Sequence, residues 1–133
     1  MLKQVIEIYD LLDDAHVTGD AVEKLLRVRG LRQIEVARIR GERGTTDFIR
    51  IVVPGLEGKR GGGKAPTLGI VGRLGGIGAR PERIGLVSDA DGAVAALSCA
   101  LKLADMAARD DRLPGDVVIS THICPDAPTQ PHE

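Results

Sequence analysis

Residues 84–108, IGLVSDADGAVAALSCALKLADMAA, pass from an apolar run through an acidic turn into a long alanine- and leucine-rich stretch. Ile84 to Val87 is short and apolar, as a buried strand is. Ser88-Asp89-Ala90-Asp91-Gly92 breaks the run. Beyond it, apolar residues recur at helical spacing, which predicts a helix over 91–108. Two carboxylates therefore stand where a strand ends and a helix begins. In open α/β sheets that junction lies at the carboxyl ends of the strands, where ligands bind.

The same alternation extends in both directions. Asp110 to Gly115 is a polar turn, and Asp116-Val117-Val118-Ile119-Ser120-Thr121 predicts the last strand. Strand, helix, strand in that order implies a right-handed crossover, with 84–87 and 116–121 parallel. Upstream, Ile34–Ile39 and Phe48–Val53 are short and β-branched, and Gly41-Glu42-Arg43-Gly44 reads as their hairpin loop. Thr67–Val71 is a third strand. Leu2, Val5, Ile6, Tyr9 and Leu12 repeat at helical spacing, predicting an amphipathic helix over 2–13. Thr18-Gly19-Asp20 opens a second helix that runs to about Arg29. Asp20 and Glu23 have capping-box spacing, Leu25, Leu26 and Val28 face inward, and Gly30 is the stop. The expected fold is α/β, a mixed sheet with flanking helices in a single domain over 1–133.

A chain of 133 residues suits one domain with a real core. The formal net charge of −1 gives no overall field toward nucleic acid or anionic lipid. Aromatic residues, at 2%, are too few for a base-stacking surface. No apolar run is long enough to span a bilayer, and the N-terminal pattern carries acids that a signal peptide lacks. The expectation is a cytoplasmic protein without nucleic-acid or membrane partners. In such a reducing compartment Cys99 and Cys124 would not form a structural disulfide.

Four constellations carry possible chemistry. Gly58-Lys59-Arg60-Gly61-Gly62-Gly63-Lys64-Ala65 nearly matches a phosphate loop, but Ala65 and Pro66 stand where a hydroxyl and a helix are needed. It reads as a mobile basic loop. Gly72-Arg73-Leu74-Gly75-Gly76-Ile77-Gly78-Ala79-Arg80 follows a strand directly. Its glycines would let amides approach an anion and Arg73 and Arg80 would supply charge, or it is a plain connection with solvated arginines. Of Asp89 and Asp91, one suits the helix N-cap. The other is free to bind substrate or a divalent metal, or both serve only the helix end. Finally, His122, Cys124 and Asp126 alternate beyond a strand, with His132 nearby. They suit part of a metal shell, a Cys124 nucleophile with His122 as base, or a buried cysteine beside a surface histidine.

Across its length the chain resembles the uncharacterised prokaryotic family numbered 1177 among the domains of unknown function. PTLGIVGRLGGIGARPERIGLVSDADGA and LPGDVVISTHICPDAPTQPHE carry that likeness. It names no activity and implies that the chain is an N-terminal portion of a longer protein. More distantly, Val17-Thr18-Gly19-Asp20, Asp89 to Leu97 and Leu113-Pro114-Gly115-Asp116-Val117 resemble segments of the co-catalytic di-zinc aminopeptidases. That resemblance implies a three-layer αβα fold of the aminopeptidase or phosphorylase-hydrolase type. It implies Asp89 as a metal ligand, with Asp126 on a second ligand position. Pro125 falls where those enzymes keep their general-base glutamate, and Arg73 and Gly75 fall on their His-x-Asp. Together the expectations are a metal-dependent amide or peptide hydrolase. Asp89, Asp126 and His122 would hold a divalent metal, zinc by resemblance. Arg73, Gly75, Gly76, Arg80 and Asp91 would hold a small-molecule or peptide substrate, and Cys124 and His122 form the alternative catalytic pair. A non-catalytic subunit binding a small anion through Arg73 and Arg80 is the other reading. Exposed sheet edges imply a homo-oligomer or a second chain or segment completing the domain.

Overall fold

The computed structural model describes residues 1–13, 17–41, 45–73, 77–79, 84–86 and 91–123. Two helices come first, α1 (Leu2–Leu12) and α2 (Gly19–Val28). Strands β1 (Gln33–Arg40) and β2 (Thr45–Val53) follow. A single 3-10 turn (Lys59–Gly61) leads to β3 (Leu68–Gly72), β4 (Ile77–Ala79) and β5 (Ile84–Leu86). The last elements are α3 (Asp91–Ala107) and β6 (Val117–Ile123).

Four strands form one sheet in the order β1-β2-β6-β3. β1 and β2 are an antiparallel hairpin, with Gln33 opposite Val52 and Arg40 opposite Thr45. β2 is antiparallel to β6, and β3 is parallel to β6 with Gly72 opposite Thr121. The sheet is mixed, and the fold is α/β.

Strand parity decides which face is covered. In β6, Val117, Ile119, Thr121 and Ile123 are buried while the intervening residues are partly exposed. In β2 the buried phase is Asp47, Ile49, Ile51 and Val53. The apolar members of these two rows share one core with Ile8 and Leu12 of α1, Val22 and Leu26 of α2, and Leu97 and Leu101 of α3. All three helices therefore lie over the same face. Phe48 and Val71 stand on the opposite face, and Val71 is 85% exposed. At about 25 cal/mol per Å², each fully buried leucine or isoleucine contributes roughly 2 kcal/mol, so the helices are held mainly by this apolar face.

Several sequence expectations are corrected here. The strand at 84–86 pairs antiparallel with β4, Ile77 opposite Leu86, and the parallel neighbour of β6 is β3. The crossover thus runs from β3 through α3 to β6. The glycine-rich segment after β3 is no plain loop, because it contains β4. The α1 stripe is also displaced. Gln4, Ile8 and Leu12 are its buried residues, whereas Leu2, Ile6 and Tyr9 are at least half exposed. In α2, Val22 and Leu26 are buried and Val28 is 76% exposed. Asp20 makes no capping bond, and the N-cap is Thr18 without a side-chain bond. The Gly19 amide instead donates to Asp47 Oδ2 at 2.7 Å.

The basic segment 57–65 is ordered. Its turn closes through Gly61 N–H to the Gly58 carbonyl, Gly63 N–H to the same carbonyl, and Ala65 N–H to the Glu57 carbonyl. Beneath it, the buried Asp116 carboxylate accepts the Gly55 and Arg60 amides at 2.9 and 3.1 Å. A Cβ on Gly58 would stand 1.9 Å from Asp116 Oδ1, so only glycine admits the carboxylate there. The segment lacks the helix that a phosphate loop requires, as its sequence implied.

Candidate functional site at the carboxyl end of the sheet

Parallel strands deliver their carboxyl ends to one side of a sheet. β3 ends at Gly72 and β6 continues past its partner Thr121 to His122 and Ile123. The first turn of α3 closes onto the same edge. A Cβ on Gly72 would stand 2.1 Å from the Gly92 carbonyl oxygen, and one on Gly92 would stand 1.9 Å from the Arg73 carbonyl oxygen. Backbone meets backbone at this junction, so glycine is needed on both sides. The contact fixes Arg73 beside Asp91, the first residue of the helix.

Arg73 and Asp91 are exposed, and among the described residues neither side chain has a hydrogen bond or ion pair. A helix start concentrates positive potential, which Asp91 offsets in the first turn. His122 is on the sheet face away from the helices. Its ring packs against Phe48, its partner across β2, with centroids 5.4 Å apart and planes tilted by 41°. Its Nδ1 is buried and has no hydrogen-bond partner among the described residues.

The structure brings Arg73, Asp91 and the β6 end to one edge of the sheet. Gly75, Gly76, Arg80, Asp89, Cys124 and Asp126, expected at the site from the sequence, lie outside the described residues. Of the three expected metal ligands only His122 is described. Among the described residues no three histidine, cysteine or acidic side chains are grouped to hold a metal ion.

Two charged clusters have no counterpart in the sequence analysis. Asp47 is fully buried and accepts from Arg38 Nε at 3.0 Å as well as from Gly19. The signal was parity, because Asp47 stands in the inward phase of β2. In the second cluster, Arg29 bridges α1 and α3. It pairs with Glu7 and donates from Nη1 to both Asp105 carboxylate oxygens at 2.7 and 2.8 Å. Gln4 Nε2 donates to Asp105 at 2.9 Å. Burial alone would raise the Asp105 pKa, but the Gln4 and Arg29 hydrogen bonds and the Arg29 and Lys3 charges hold it below the ordinary value. The Arg29 pKa is raised by its bonds to Glu7 and Asp105. Asp116 titrates low because the Gly55 and Arg60 amides favour its charged form.

Residues 37–133 match the family described as a protein of unknown function, DUF1177. The chain belongs to this family. No curated protein matches it. Among solved structures it is similar to the bottromycin maturation enzyme BotP in complex with Mn, at TM-score 0.56 and 17% identity over 95% of this chain. A second structure of BotP matches at TM-score 0.53 and 17% identity over 96% of this chain. At this identity the likeness shows the fold alone. The chain spans less than a third of the BotP chains, 30% and 29%. Among the described residues no helix is long and apolar enough to cross a membrane.

Proposed function

We propose that the carboxyl end of this sheet is the substrate edge of a hydrolase-like protein acting on amide or peptide bonds. The observation that carries the proposal is the junction itself. β3 and β6 run parallel and end side by side, and α3 begins against the backbone of Arg73. BotP, to which the fold is similar, is seen in complex with Mn, which supports a divalent metal in this protein. The described residues do not form a metal shell. Asp89, Asp126 and His122 are the proposed ligands, with manganese and zinc the ions to test. A bound divalent ion would supply a water acidic enough to act near neutrality.

The chain's own residues do the positioning. Arg73, exposed and without an ion pair among the described residues, would hold a substrate carboxylate through two parallel N–H donors. The α3 amides would add positive potential from the same side. Phe48 packs against the His122 ring, which limits the directions its Nδ1 can face.

Metal retention and peptide hydrolysis test this together. The protein is loaded with Mn²⁺ or Zn²⁺, desalted, and assayed for metal content and for hydrolysis of short peptides. The expected result is about one ion per chain and hydrolysis, both lost in Asp89→Ala. Failure to retain either ion and to cleave any peptide would contradict the hydrolase proposal. If Arg73→Ala then weakened binding of a small carboxylate while Asp89→Ala did not, the non-catalytic anion-binding reading would stand instead.

A further inference from the structure

A second site lies at the far end of α3, away from the sheet edge. Seventeen residues separate the start of α3 from its end, about 25 Å along the axis. There α1 and α3 enclose a cleft of about 470 Å³, within the usual range for small-ligand sites. Its charges are unequal. Arg29 is committed to Glu7 and Asp105 and forms part of the wall. One guanidinium meets two carboxylates there, so the bridge keeps one negative charge; with Asp111 it faces Lys3, Lys102 and Arg109, an excess of one positive charge. Among the described residues the Lys3, Lys102 and Arg109 side chains have no ion pair or hydrogen bond.

We infer that this cleft binds a small multivalent anion carrying phosphoryl or carboxylate groups. Lys3 on α1, Lys102 on α3 and Arg109 just past its end repel one another, with only the Lys3 field partly taken up by Asp105, and an anion bound among them would relieve that repulsion. The Glu7–Arg29–Asp105 bridge makes the wall rigid, so little ordering would accompany binding. Lys102 is partly buried, which strengthens its attraction relative to a fully solvated lysine. The cleft shares no residue with the sheet edge, so it stands whatever the fate of the hydrolase proposal.

Calorimetric titration with inorganic pyrophosphate and, separately, with citrate tests the site on the full chain. Saturable binding of at least one of them is expected, with the affinity falling steeply as salt rises. Lys102→Glu with Arg109→Glu should weaken it at least tenfold, while Arg73→Ala leaves it unchanged. Lys3→Glu, on an exposed position, should weaken it as well and guards against misfolding of the double variant. Binding of pyrophosphate alone assigns the site to phosphoryl groups, and of citrate alone to carboxylates. No saturable binding of either, equal binding by all variants, or loss on Arg73→Ala would overturn the inference.

Discussion

The Asp47 carboxylate and the Gly19 amide meet at 2.7 Å across 28 residues of sequence. A strand residue thereby performs the capping that α2 lacks from its own N-cap, Thr18. The same carboxylate holds Arg38 at the rim of the sheet. Removing it leaves a buried amide without an acceptor and a guanidinium without its partner.

Asp47→Ala should therefore destabilise the protein by about 2–4 kcal/mol. Asp47→Asn retains one acceptor oxygen and should cost less. Denaturant unfolding of both variants checks the order. Equal midpoints for Asp47→Ala and the parent protein would show that the bond contributes nothing.

The Gly72–Gly92 junction makes a sharper demand. An alanine at Gly92 puts a carbon 1.9 Å from the Arg73 carbonyl oxygen, and backbone cannot rotate away as a side chain does. Gly92→Ala should lower stability by about 1–3 kcal/mol. It should also displace Arg73, so any carboxylate ligand of the sheet edge should bind more weakly. Ala95→Gly, at an exposed position of the same helix, is the comparison. It should cost about 1 kcal/mol through helix propensity and leave binding intact.

Asp116 and Asp105 both titrate below the ordinary carboxylate value. Groups lowered in the folded state stabilise it fully above their unfolded pKa, about 3.9. That contribution is lost as pH falls through the lower folded values. Thermal midpoints should thus be flat from pH 7 to about 5 and decline below about 4. In Asp116→Asn the decline should be shallower and the 57–65 amides should exchange faster with solvent. A decline unchanged by the substitution would assign acid sensitivity to other groups.

Much of the fold was legible because hydrophobic period is a local property. The helices at 2–13 and 91–108, the 34–39/48–53 hairpin and the last strand all have the right period and are found where that period lies. What was not legible depends on distance in space. The apolar run at 84–87 looks like a crossover strand, yet Ile84–Leu86 pairs with the three residues Ile77–Ala79. The α1 sequence carries two apolar stripes, and only packing against α3 selects Gln4, Ile8 and Leu12 over Leu2, Ile6 and Tyr9. Asp20 has the spacing of a local cap, but the carboxylate that meets Gly19 comes from β2. The basic glycine segment looked mobile because nothing near it in sequence would hold it. Its anchor, Asp116, lies more than fifty residues away. At the candidate site, Arg73 and Asp91 were each legible as substrate-site residues, but the approach of the Arg73 backbone to the start of α3 was not. The Phe48 contact with His122 follows only from the β2–β6 register.

Paramagnetic broadening by Mn²⁺ tests the central claim most directly. Titrated into the ¹⁵N-labelled chain at substoichiometric ratio, Mn²⁺ should broaden the amides of Gly72, Arg73, Asp91, Gly92 and Thr121 to Ile123 first. Uniform broadening, or broadening that begins at the Asp116 segment or the α1–α3 cleft and spares those amides, would contradict a metal-assisted site at the carboxyl end of the sheet.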